Sequence, residues 1–193
     1  MRTLLVAGYL SIDTIATPAG REGGVPGGAA LYAALAAARL ARGTDLRVAL
    51  LAAVGEDYPQ DWLTALSGLG VGVERVERRA GPTRRARLEH DNEGGRRSSH
   101  YAQAQFWERT AALTPPVGDL SGASGIVAGP MPVAVLSDLV DRATCPVIAD
   151  TSEAVASREG HALTALLPRL GVFAPSREET RVLLPGLDDD AAL

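Results

Sequence analysis

Short apolar runs, each ending in Gly, Asp or Ala, recur along this chain with helix-forming segments between them. That alternation constrains the fold more than any other feature. The runs are Thr3–Gly8 (TLLVAG), Arg47–Gly55 (RVALLAAVG), Gly125–Gly129 (GIVAG), Pro146–Asp150 (PVIAD) and Val172–Ala174. Runs of this length and character read as strands buried on both faces. Between them, AALYAALAAARLAR is rich in strong helix formers and free of Gly and Pro. Pro59–Ser67 carries Trp62, Leu63 and Leu66 on one helical face, and Asp57 offers an N-cap with Gln60 three residues on. Pro132–Ala143, Gly160–Leu170 and Ser176–Leu184 complete the set of helices. Strands alternating with helices mean βαβ units and a mostly parallel sheet, an α/β fold.

The middle of the chain breaks the pattern. Val73–Tyr101 alternates and is dense in Arg and Glu, with a turn signal at residues 91–95. It reads as exposed antiparallel strands with one wet face. The arginines at 84, 85, 87, 96 and 97 interleave with Glu89, Asp91 and Glu93, the pattern of a solvated strand face. Gln103–Thr114 leaves helix and loop both open.

Composition excludes several functions. The chain has 193 residues and reads as one domain, with no linker and no internal repeat. Its net charge of −4 argues against a general nucleic-acid binder. All 19 cationic side chains are Arg, so a lysine nucleophile, a Schiff base and a P-loop lysine are ruled out. The single cysteine, Cys145, permits no internal disulfide or cysteine zinc cluster and reads as core. His90, His100 and His161 lack metal-ligand spacing. The start has no signal-peptide core, and no apolar run approaches the ~20 residues of a membrane span, so a soluble cytoplasmic protein is expected, without membrane or nucleic-acid partners.

Four constellations carry chemistry. Gly8-x-x-x-x-Asp13 sets a carboxylate just past a strand's carboxyl end, the edge where open α/β sheets bind ligands. A carboxylate there accepts hydroxyl hydrogen bonds, which suits a polyol, although a turn-capping Asp fits the same letters. Gly23–Gly28 (GGVPGG) leads into the Ala-rich helix, and such glycines allow either close ligand approach or a flexible entry. It is neither a dinucleotide fingerprint nor a Walker A loop. Ser176-x-x-Glu179 is a capping box, whose carboxylate could also hold hydrated Mg²⁺ near phosphates. Asp150 ends a strand on the same expected edge as Asp13.

In order along the chain, these segments resemble the ribokinase-like (PfkB) carbohydrate kinase family. VAGYLSID is similar to its first strand with Gly-x-x-x-x-Asp, and PGGAALYAALAAARLA to its di-glycine signature and helix. VGEDYPQDWLTALSGLGV resembles its strand, helix and Gly-Val turn; PVIAD its strand ending in Asp; and FAPSREETRVLL its P-N-x-x-E motif. The resemblance implies a three-layer α/β/α fold with a small β lid, here from about 14–26 and 73–101, in one domain over 1–193. It implies ATP-dependent phosphorylation of a hydroxyl on a sugar, nucleoside or similar small alcohol, with ATP and Mg²⁺ as cofactors. Asp13 would hold substrate hydroxyls, and Gly27, Gly28 and Tyr32 would lie against the substrate. Ser176 and Glu179 would lie near phosphate and metal, with no direct metal ligand. A homodimer through the lid strands is also implied.

The sequence departs from the family at three places. Tyr32 stands where the family has a substrate-contacting Asn, and Ser176 where it has the Asn of N-x-x-E. The Gly-Ala-Gly-Asp run, which carries the family's general base and anion hole, is absent, so no catalytic base is assigned in this chain. The expectation is the first two-thirds of such a kinase, inactive alone, with a non-catalytic sugar-binding or regulatory relic as the alternative. Either reading requires Asp13, Gly28 and Glu179 to converge on one rim of one sheet.

Overall fold

Hydrophobic runs with no polar face need cover on both sides, and they find it. The computed structural model describes residues 2–90, 96–99 and 104–186. The turn expected at 91–95 lies outside the described residues. The elements, in chain order, are β1 (Arg2–Ala7), β2 (Ser11–Thr17), β3 (Gly20–Gly27), α1 (Ala29–Leu40), β4 (Leu46–Gly55), α2 (Gln60–Gly68), β5 (Val71–Arg79), β6 (Arg87–His90) and β7 (Arg96–Ser99). Then come α3 (Ala104–Ala112), β8 (Ala123–Ala128), α4 (Val133–Arg142), β9 (Val147–Ala149), α5 (Glu153–Leu166), β10 (Val172–Phe173) and α6 (Arg177–Leu183).

Six strands form one sheet in the order β10-β9-β8-β1-β4-β5, parallel throughout. Successive residues of β1 serve opposite faces, as strand pleating requires. Leu5 and Ala7 join a core with Ile126, Leu136, Leu139 and Leu163, under α4 and α5. Val6 joins Leu31, Ala34, Leu50, Leu63 and Leu66, under α1 and α2. The result is the three-layer α/β/α arrangement that the alternation implies. Each large aliphatic side chain buried in these layers contributes about 1.5–3 kcal/mol.

A second sheet, in the order β3-β2-β6-β7, is built from the segments around Asp13 and from part of the Arg-rich middle. The expected lid range of 73–101 needs correcting. Val71–Arg79 pairs parallel with β4 and closes the main sheet as its edge strand. Its charges mark an edge guarded against further pairing, which in sequence looks the same as a wet lid strand. The second sheet is also not purely antiparallel, because β6 runs parallel to β2.

Three smaller differences have local causes. Asp57 does not cap α2; Pro59 holds the N-cap position with no side-chain bond, because Asp57 is committed elsewhere. The helix expected from Gly160 starts at Glu153 under a Ser152 cap and kinks at Glu159, which interrupts the periodicity. The ambiguous stretch 103–114 contains α3, with Phe106 and Thr110 buried one turn apart and Leu113 buried just past its end.

Candidate functional site

In an all-parallel sheet every carboxyl end lies on one edge. Asp13 follows β1 and Glu179 follows β10, so both lie past that edge, and the two strands are separated by three spacings. At ~4.8 Å per strand this is ~14 Å along the rim. The two ends of this stretch, past β1 and past β10, differ in construction.

At the first end Asp13 lies inside β2, and is only 6% exposed. β2 is clamped on its far side by residues 84–86: Ile12 N–H donates to the Arg84 carbonyl and Thr14 N–H to the Ala86 carbonyl. Ala86 N–H in turn donates to Asp13 Oδ1, at 3.2 Å. Burial pushes the Asp13 carboxyl above its usual value, against bonds from Ser11 and Ala86 and the field of Arg84. On the other side β3 lays Gly27 on the carboxylate. A Cβ at Gly27 would stand 1.9 Å from Asp13 Oδ2, and one at Gly28 (φ +100°) would stand 2.2 Å from the Tyr9 carbonyl oxygen. The di-glycine is therefore a steric requirement for closing β3 and α1 over Asp13. Tyr32 lies on the first turn of α1, largely exposed, and its hydroxyl donates to the Pro26 carbonyl at 3.4 Å.

Residues that the sequence reading gave another role, or none, complete this end. Arg84 is half-buried: its guanidinium lies 4.2 Å from the Tyr9 ring centroid and 4.7 Å from that of Phe106. Tyr9 O–H donates to the Thr110 carbonyl, and Arg109 donates to the carbonyls of Ala80 and Pro82, so α3 is strapped over the corner. Asp57 accepts from Thr83 N–H at 2.6 Å and from Arg85 at 2.7 Å. Burial alone would push the Asp57 carboxyl up; these donors outweigh it and hold it at about 2. Tyr58, next in the chain, is buried beside them.

At the second end, Asp150, Ser176 and Glu179 line an open cleft of about 490 Å³ with Ile148, Ala174 and Pro175. The capping box is realised: Ser176 Oγ accepts from Glu179 N–H at 3.3 Å, and Glu179 Oε2 from Ser176 N–H at 2.7 Å. Glu179 is 8% exposed. Burial, and then the nearby Glu179 charge, push the Asp150 carboxyl up despite the Thr151 N–H bond. A buried carboxylate, Glu179, and a half-buried one, Asp150, on the same cleft offer hard oxygen donors of the kind that suit a hydrated divalent cation. Among the described residues no group of three or more His, Cys, Asp or Glu stands ready to hold a metal, and no helix is long and apolar enough to cross a membrane.

No protein-family model matches the chain. A cytidine kinase of Thermococcus kodakarensis is 42% identical over 69 residues, which is 36% of this chain and 23% of that protein. A nucleoside kinase of Burkholderia thailandensis, solved with inosine, superposes with a TM-score of 0.70 at 19% identity, over 98% of this chain and 66% of that one. A ribokinase of Cryptococcus neoformans, solved with ADP, gives 0.70 at 19% identity, over 99% and 64%. The chain thus spans about two-thirds of the solved kinases it matches, and the residues shared with the curated relative span about a quarter of that protein. With six parallel strands in three layers, a side sheet carrying the first acidic residue, and these superpositions, the chain has the ribokinase-like fold.

Proposed function

We propose that this chain carries the acceptor-binding and phosphate-proximal halves of an ATP-dependent kinase acting on a hydroxyl of a sugar or nucleoside. One observation carries the reading: a buried carboxylate within the side sheet and an acidic cleft lie past the carboxyl ends of β1 and β10, strands that stand three spacings, ~14 Å, apart in one parallel sheet. That separation suits an acceptor at one end and a nucleotide's phosphates at the other. The nucleoside and ADP complexes of the similar folds support the same pairing of ligands.

In this reading Asp13 accepts hydrogen bonds from two acceptor hydroxyls. Desolvation strengthens such bonds, and Gly27 and Gly28 keep water from the carboxylate. Tyr32 closes the outer side of the acceptor. Glu179 and Asp150 would hold Mg²⁺ through water, with Ser176 beside the phosphates. When bound, Mg²⁺ supplies charge neutralisation on the transferring phosphoryl group. The second sheet acts as the lid that excludes water from the donor. The general base comes from a Gly-Ala-Gly-Asp run that these 193 residues do not contain. The chain alone therefore binds acceptor without turning it over.

Calorimetric titration with D-ribose, cytidine and inosine tests the reading. At least one should bind, and Asp13→Ala should abolish that binding. Failure of all three, or binding indifferent to Asp13→Ala, overturns it. Binding unaffected by MgATP favours a binding relic over a kinase portion.

A further inference from the structure

One buried polar atom beside the acceptor corner lacks a partner. Tyr58 is 2% exposed, and its phenolic oxygen makes no hydrogen bond among the described residues. Burying an unpaired hydroxyl is costly, and phenylalanine would fill the same space without that cost. The ring is fixed in place: it packs with Leu10, Leu31 and Leu63 and meets Trp62 edge-on, at 5.3 Å between centroids and 85°. Its loop is fixed too. Gly55 N–H donates to Thr83 Oγ1 at 3.0 Å, and Thr83 N–H donates to Asp57. Thr83 leads straight into residues 84–86, which hold β2 and the Asp13 carboxylate.

Phenol and carboxylate thus belong to one packed corner, and their needs are complementary. Burial first, and then the charge of Asp13, push the Tyr58 hydroxyl up to about 12, so it keeps its proton at neutral pH. Asp13 takes bonds from Ala86 N–H and the Ser11 side chain. A carboxylate offers about four acceptor sites, so capacity remains for a third donor. The charged and titratable groups facing Asp13 are Arg84, from the segment after β5, and Tyr58. Farther out stand the Asp57–Arg85 pair and Tyr9.

We propose that Tyr58 is a positioning residue for Asp13: with acceptor bound, its O–H donates to the Asp13 carboxylate, fixing that group's orientation and leaving its other lone pairs for acceptor hydroxyls. This rests on the reading of Asp13 as the acceptor-binding group. Tyr58→Phe tests it, by titration with D-ribose, cytidine and inosine from pH 5 to 8, with thermal melting alongside. The expected result is a melting temperature unchanged or raised and about tenfold weaker binding. The acid limb of the binding profile should also move to higher pH, because the carboxylate has lost a donor that favours its ionised form. Because Tyr32 also lies beside the acceptor, the tyrosine difference spectrum on adding the bound probe should be present in both chains but larger in the wild type, and equal spectra in wild type and variant overturn the proposal. Affinity and pH profile equal to wild type make Tyr58 core packing alone and overturn it too. A lower melting temperature with unchanged affinity has the same meaning. If Asp13→Ala leaves binding intact, or no probe binds, the acceptor-site reading falls and takes this proposal with it. If Asp13→Ala abolishes binding and Tyr58→Phe does nothing, only this proposal fails.

Discussion

The two ends of the rim hold acids of similar burial by different means. Asp13 is enclosed by segments distant in sequence: β3, residues 84–86 across a separation of 73 residues, and α3 strapped to Tyr9 across 101. Glu179 is held by a motif four residues long, on a seven-residue helix after a two-residue strand, beside an open cleft. One end is a product of the whole fold, while the other is largely a product of its own turn. Perturbing the first should therefore be felt globally, and perturbing the second only nearby.

The largest effect is expected at Gly28. An alanine there must adopt φ +100° and set a Cβ against the Tyr9 carbonyl, which is backbone and cannot step aside. Gly28→Ala should cost more than about 3 kcal/mol in urea unfolding, combining left-handed strain with overlap. A cost under 1 kcal/mol would mean that β3 and α1 close on Asp13 loosely, and the contrast between the ends would weaken.

Asp13→Asn should separate stability from binding. The folded chain holds the Asp13 proton more tightly than the unfolded chain does, because the carboxyl is raised by burial. The destabilisation is therefore absent below the unfolded value and complete above the folded one. At pH 7 the neutral amide should raise the melting temperature while weakening acceptor binding about 10- to 100-fold, the worth of a charged hydrogen bond. A variant that melts lower at pH 7 would show that the carboxylate is a structural anchor for Ala86 first.

Legibility follows the same division. The capping box could be read because Ser176 and Glu179 lie three residues apart and bond to each other. The strands could be read because Leu50, Val54 and Ile126 leave no polar face. At the Asp13 end the sequence gives the carboxylate and the glycines, but not their enclosure. Arg84 sits in a run that looks solvated, and only its stacking on Tyr9 and Phe106, which lie 75 and 22 residues away, takes it inside. Asp57 looks like a helix cap because the local spacing permits one; Thr83 and Arg85, unseen at that range, take both its oxygens. The first part of the expected lid range, residues 73–79, falls in the main sheet for a related reason: charge on a strand marks an edge without saying of which sheet.

Asp57→Ala tests that long-range clamp. Losing the bond from Thr83 N–H should cost about 2 kcal/mol, with little added by the half-exposed Arg85 pair. Because Asp57 is held at about 2, its contribution is complete above 3.8 and is lost as pH falls toward about 2. The variant should accordingly melt with a flatter pH dependence across that window. An unchanged acid slope would assign the acid sensitivity to other carboxylates.

The smallest effect is expected at the Glu179 end. Ser176→Ala removes the side chain that accepts from Glu179 N–H, and the loss of such a cap costs about 1 kcal/mol. That is about fivefold in a local opening equilibrium, so hydrogen exchange of the α6 amides should speed up by about that factor. Amides of β1, β4 and β8 should keep their rates, because α6 touches the core through few side chains, Leu183 among them. Acceptor binding at Asp13 should also be unmoved, since no hydrogen bond of the capping box reaches β2. Faster exchange in β8 or β9 would mean that α6 supports the sheet edge as the Asp13 enclosure supports its own end, and the two ends would then differ in reach of sequence but not in reach of effect.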